Sequence, residues 1–135
     1  MTRESTHISV FIARSSADVY AYASQPLNLP AWAAGLSSAL HKVDGQWVSD
    51  SPMGRVTVAF APDNAFGVLD HDVTLPNGET VYNPVRVISD GEHSEVIFTL
   101  RHRAGMSLEE YRRDAEAVAA DLNRLKSLLE GQGTR

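Results

Sequence analysis

One stretch near the C-terminus, Ser107 to Glu130, limits what this chain can fold into more than any other. Within it Leu108, Tyr111, Ala115, Val118, Leu122, Leu125 and Leu129 recur at alternating spacings of three and four. That spacing aligns these side chains on one stripe of an α-helix, with Glu, Arg, Asp and Lys around the rest. Ser107 and Glu110 form a capping-box pair at its start, and Gly131 is a natural stop. At about 1.5 Å per residue the helix is roughly 36 Å long, about the diameter of a small domain. Its stripe must be covered. A coiled-coil seam is the alternative cover, but a seam containing Ala115 and Tyr111 is weak and would leave the upstream strands bare.

Those upstream segments read as strands with two short helices inserted. His7 to Ala13 alternates, with Ile8, Val10 and Ile12 on one face. Ser15 and Asp18 offer a capping box for a short helix through Ser24 that carries Val19 and Tyr22 on one side. Pro26 suits the first turn of a second, with Leu29, Trp32 and Leu36 on it and Gly35 near its end; Pro30 makes the first turn irregular. From Ser38 to Arg103 the period is two: Ser38 to Val43 and Gln46 to Asp50 flank the hairpin signal Asp44-Gly45, and Arg55 to Ala61, Phe66 to Leu75, Thr80 to Ile88 and Ser94 to Arg103 follow. This order predicts an α+β domain in which a curved antiparallel sheet of about six or seven strands wraps a long C-terminal helix. One domain over residues 1–135, with an ordered core of about 6–130, is expected from the length.

Composition narrows the function classes. The net charge is −5 and the basic residues are dispersed, which argues against a nucleic-acid surface. There is no cysteine, which removes disulfides, zinc–cysteine sites and thiol catalysis. No signal-peptide pattern opens the chain and no apolar run approaches the ~18 residues of a membrane span, so a cytoplasmic address without membrane insertion is expected. P-loop, dinucleotide, serine-elbow and zinc-protease motifs are absent. Asp70-His71-Asp72 looks metal-like as text, but neighbouring strand residues face opposite ways, so neither a metal nor another cofactor is expected.

The stretch Ile12-Ala13-Arg14-Ser15-Ser16-Ala17-Asp18-Val19-Tyr20-Ala21-Tyr22, followed by Pro26-Leu27-Asn28-Leu29-Pro30-Ala31-Trp32, resembles the opening of the START-related, polyketide-cyclase-like superfamily. These are the helix-grip proteins, shared with the birch-pollen allergen. The resemblance extends over element order from about Thr6 to Glu130. Gln25 stands where an acidic residue often precedes the proline, and Ser15-Ser16 where a proline is common. The resemblance implies a helix-grip fold and, as an expectation, the binding of lipids, polyketides or other apolar molecules between sheet and helix.

Turn chemistry sets the register of the polar groups. Pro76-Asn77-Gly78 suits a three-residue loop, which sets Val73 against Val81, His71 against Asn83 and Leu69 against Val85. A two-residue turn at Gly91-Glu92 sets Val87 against Val96, Val85 against Phe98, Asn83 against Leu100 and Val81 against His102. A four-residue loop Pro62 to Ala65 would place Val56 beside His71 and Val58 beside Leu69. His71, Asn83 and His102 then converge on an apolar concave face, within reach of Tyr111 and Trp32. Pro84 points away, and its missing N–H implies an edge or bulge.

Three uses of these polar groups stay open at this point. His71 and Asn83 suit a hydrogen-bonded pair that fixes register, a pair of groups that orient a ligand, or an acid–base site. The expected lining is Trp32, Phe60, Leu69, Val85, Phe98, Val118 and Leu122, with His71, Asn83, His102 and Tyr111 supplying polarity. The functional expectation is small hydrophobic-ligand binding by a monomer or homodimer. The alternatives are a cyclase or dehydratase using His71 or His102, and a protein-interaction module presenting Phe11, Tyr82 and Ile88. The second half of the long helix should anchor the fold, and Tyr111→Ala in its first half should leave folding largely intact.

Overall fold

The computed structural model describes residues 4–33, 39–51 and 54–132. Strand β1 (Ser5–Ile12) leads into helix α1 (Ser16–Ala23), a 3₁₀ turn at Pro26–Asn28 and the short helix α2 (Leu29–Trp32). Six strands come next: β2 (His41–Val43), β3 (Gln46–Ser51), β4 (Gly54–Phe60), β5 (His71–Thr74), β6 (Thr80–Asn83) and β7 (Val85–Asp90). Strand β8 (His93–Arg101) and the long helix α3 (Leu108–Gln132) complete the chain. Gly35, Leu36 and Ser38, read from sequence as the end of the second helix and the start of a strand, lie outside the described residues.

The local signals act as their chemistry requires. Ser15 caps α1 by accepting from Asp18 N at 3.2 Å. At α3 both halves of the capping box form: Glu110 N donates to Ser107 Oγ at 3.1 Å and Ser107 N donates to Glu110 Oε1 at 2.9 Å. Asp44 and Gly45 both have positive φ, 52° and 81°, as a two-residue hairpin turn between β2 and β3 requires. The Pro76–Gly78 loop closes on Gly78 at φ 91°, with Leu75 N donating to Glu79 O. Gly131, expected as a stop, stays inside the helix because its φ is not positive, so the chain has no reason to turn there.

The strands form two antiparallel sheets, β1-β8-β7 and β2-β3-β4-β5-β6, gripping α3 in the helix-grip arrangement. The division falls at Pro84. The run Thr80 to Asp90 would be one strand by periodicity, but Pro84 has no N–H to continue a ladder. The chain therefore pairs with β5 before the proline and with β8 after it. His71 faces Asn83 and Val73 faces Val81, while Val85 faces Phe98 and Val87 faces Val96. Asn83–Leu100 and Val81–His102, expected from the same turn, do not pair, since β6 has left that sheet. Pro84 itself is buried at the crossing, and its carbonyl accepts from Thr99 N at 3.0 Å.

The connection from β4 to β5 also differs from expectation. Phe60, not Val56, lies beside His71, and Val58 lies beside Val73. The strand expected from Phe66 shrinks to His71–Thr74, and residues 61–70 form a long loop built on Asn64. Asn64 Nδ2 donates to Pro62 O and Val68 O, and Asn64 Oδ1 accepts from Phe66 N and Val68 N. An asparagine that folds the backbone around its own amide in this way outcompetes ladder pairing. The loop then docks on β7 through Leu69 N to Val85 O and Val87 N to Gly67 O, both at 2.8 Å. A β-carbon on Gly67 would lie 2.3 Å from Val87 O, and its φ is 72°, so the contact requires glycine.

The core lies between α3, α1, α2 and the inner face of β1-β8-β7: Ile12, Val19, Leu29, Val85, Val96, Leu122, Leu125 and Leu129 are all buried. Leu108, placed on the helical stripe by its spacing, is 47% exposed at the first residue of α3. The C-terminal half of α3 is also tied to the end of β1. Lys126 Nζ donates to Phe11 O at 2.7 Å, Ala13 N to Glu130 Oε2 at 2.9 Å and Arg14 Nη1 to Leu129 O at 2.8 Å. No helix of the described residues is long and apolar enough to cross a membrane.

Candidate functional site

Burial separates packed side chains from those that border open space. On the concave face Leu69, Val85 and Leu122 are at most 2% exposed and are simply core. Val56, Phe60, Val73, Phe98 and Leu100 also contact that core, yet each keeps some accessible surface. Helix α3 packs against β1, β8 and α2, so the inner face of the five-stranded sheet is left less tightly covered than that of its neighbour. The open space lies beside β6 and β8, toward the N-terminal half of the helix.

A cleft of about 280 Å³ opens on the N-terminal side of Pro84, where β6 and β8 splay apart. Val81, Asn83, Phe98 and Leu100 supply its inner walls, and Ala117 and Val118 of α3 its floor. Thr80, Tyr82, Thr99, Arg101, Arg103 and Asp114 lie around it. Asn83 faces His71 across the ladder, but its amide makes no hydrogen bond to any described residue. That amide is therefore available to something in the cleft.

His71 is 8% exposed, and its Nδ1 lies 3.1 Å from Leu69 O. A carbonyl only accepts, so Nδ1 carries the proton and Nε2 keeps its lone pair. Burial pushes the imidazole pKa down, opposed by the Leu69 carbonyl and by the charges of Asp70 and Asp72, so the ring is neutral at pH 7. Phe60 sits beside it with ring centroids 5.0 Å apart. His71 also borders a shallow hollow of about 220 Å³ with Phe60 and Tyr82.

The other expected site residues go elsewhere. His102 stacks on Tyr111 with centroids 4.7 Å apart and planes 8° from parallel, and its Nε2 donates to Met106 O at 2.7 Å. The Tyr111 hydroxyl lies 2.5 Å from Thr6 Oγ1 and the residue is buried. The pair thus fastens the start of α3 to β1, and the expectation that Tyr111 is dispensable for folding gives way to a structural role. Trp32 is buried beneath α3, its carbonyl accepting from Arg124 Nε at 3.3 Å, and its indole N–H is buried without a partner among the described residues. Asn83, Phe98 and Val118 are brought together at the cleft, and His71 stands behind Asn83.

Asp70, set aside in the sequence because it faces away from His71, is heavily engaged. Its carboxylate accepts from Tyr82 Oη at 2.7 Å, Val85 N at 2.9 Å, and Arg86 Nε and Nη2 at 2.9 and 2.8 Å. Arg86, chiefly, holds its pKa down at about 2. One carboxylate therefore ties together both sides of the Pro84 crossing. The sequence signal was present: a proline interrupting a period-two run, with an acid on the adjacent strand. Arg101 and Arg103 gave no comparable signal, since their parity points them outward and they reach the cleft only because the ladder stops. The alternate-face residues Phe11, Tyr82 and Ile88 are about half exposed, with Phe11 and Ile88 flanking Glu95 in one cross-strand row.

No family model and no curated protein matches this chain. Solved structures do. The protein XoxI from Bacillus cereus superposes with a TM-score of 0.71 at 13% identity, over 100% of both chains. The Zhui aromatase/cyclase from Streptomyces sp. R1128 gives 0.64 at 16% identity, over 96% of this chain and 94% of that one. Ara h 8.0201 gives 0.66 at 9% identity, over 96% and 99%. The chain spans about half of two larger neighbours, 47% of DynU16 from the dynemicin biosynthetic locus and 48% of the di-domain ARO/CYC BexL. The fold shared with these structures is the helix-grip fold that the resemblance of the opening segments implied.

Proposed function

We propose that this chain binds a small apolar molecule in the space between the concave face of β4–β6, β8 and the N-terminal half of α3. The observation that carries this reading is the splay of β6 from β8, which leaves an apolar cleft with one unengaged amide, that of Asn83, at its wall. Pockets that hold small molecules are apolar with a few convergent polar groups. At about 280 Å³ the cleft is just below the ~300–1,000 Å³ typical of such sites, which favours a small or single-chain molecule over a two-chained lipid. Two neighbours of the same fold, Zhui and BexL, are named as aromatase/cyclases. Native mass spectrometry and thermal shift against single-chain lipids and small aromatic polyketides test the reading. A stoichiometric adduct with a raised Tm is expected, and the absence of both across the panel refutes it.

A second reading rests on His71. A neutral imidazole with Nδ1 committed to a carbonyl presents Nε2 as a base, the form a cyclase or dehydratase uses to move a proton. It would add to the binding role the holding of a reactive chain in a folded pose. His71→Ala abolishing turnover of a bound polyketide, with binding retained, supports this reading; unchanged turnover removes it.

A further inference from the structure

We infer that the split between β6 and β8 is the entrance of the site, and that its rim selects a ligand whose polar end is a single carboxylate. This rests on the apolar-binding reading above and specifies its ligand. Among the described residues, the unengaged donors at the rim are the Arg101 guanidinium and the Asn83 amide. Arg101 is exposed, borders the cleft, and has no ion-pair partner among the described residues. A guanidinium only donates, in a planar fork that matches one carboxylate. Arg103, also at the rim, is held by Glu79 at 3.1 Å, and the Thr80 and Thr99 hydroxyls are engaged by Thr74 and His7 at 3.1 Å each, which leaves the Asn83 amide beside Arg101. Among the described residues, Asp114 on the helix wall is the one carboxylate that borders the cleft. It penalises a second negative charge, so a dianionic phosphate fits less well than a monoanion. The apolar walls behind, Val81, Phe98, Leu100 and Val118, then hold the alkyl or aryl body.

Decanoate, decanol, decylamine and decyl phosphate, which share one chain and differ in the head, separate these contributions by isothermal titration. Decanoate is expected to bind at least about tenfold more tightly than decanol, the scale of a charge-assisted hydrogen bond. Arg101→Gln, at an exposed position, should erase that preference and leave decanol binding unchanged. Val81→Phe, which fills the split, should weaken all four ligands. Equal binding of decanoate and decanol, a preference that survives Arg101→Gln, or binding indifferent to Val81→Phe overturns the entrance and its selectivity while leaving apolar binding intact. Failure of all four ligands to bind, in protein whose circular dichroism shows it folded, overturns the inference together with the reading beneath it.

Discussion

Neutralising Asp70 tests whether one carboxylate sets the crossing on which the cleft depends. Asp70→Asn keeps the shape but removes the charge that Arg86 grips with Nε and Nη2 and that Tyr82 Oη and Val85 N also meet. The carboxyl is lowered from 3.8 to about 2. A shift of that size corresponds to about 2 kcal/mol, and screening of the half-exposed Arg86 reduces it to about 1–2 kcal/mol. For a domain of this length that is a fall in Tm of about 3–8 °C at pH 7. The pH dependence follows from the sign of the shift. Because the folded pKa is depressed, the stabilisation is full above the unfolded value near 4 and disappears as pH falls toward and below 2. Urea unfolding of wild type and Asp70→Asn from pH 7 to pH 2 should therefore show a constant gap that closes below about pH 4. A gap below about 0.3 kcal/mol at pH 7, or one that persists undiminished at pH 2, refutes the clamp.

Other perturbations follow from the same geometry. Burial lowers the His71 pKa in the fold, so the unfolded chain takes up a proton near pH 6.5 before the folded chain does, and stability falls as pH drops below about 6.5; His71→Gln should flatten that part of the urea-derived profile. Tyr111→Ala should cost about 3 kcal/mol in chemical denaturation, and Tyr111→Phe, which loses only the Thr6 contact, about 1 kcal/mol. Leu122 is 1% exposed at the centre of the core, so Leu122→Ala should cost about 2–5 kcal/mol and Leu122→Asp should abolish the cooperative thermal transition.

The sequence was most legible where one local rule acted alone. The heptad-like stripe from Tyr111 to Leu129, the capping boxes and the three hairpin turns each specify geometry within a few residues, and the fold follows from their order. Legibility ended where two rules competed. Residues 66–70 alternate like a strand, but the Asn64 amide claims their backbone first. Pro84 sits inside a period-two run, and a parity argument carried across it predicts pairs, Asn83–Leu100 and Val81–His102, that the missing N–H forbids. Parity also assigns Arg101 to the outer face, which is correct for its strand and silent about a neighbouring strand having moved away. Tyr111 and His102 were read as pocket groups because their faces converge, whereas the Thr6 hydroxyl and the Met106 carbonyl engage them first. Thr6 lies 105 residues from Tyr111 and Met106 only four from His102, and neither pairing has a sequence motif.

The central claim is that the open part of the concave face, and not the packed half beneath the C-terminal turns of α3, receives a small apolar molecule. Methyl-resolved NMR during titration with decanoate measures this most directly. Val81, Leu100 and Val118 should shift progressively to saturation while Leu125 and Leu129 stay fixed. Saturable shifts centred on Leu125 and Leu129, or no saturable shift at Val81, Leu100 and Val118, would contradict the account.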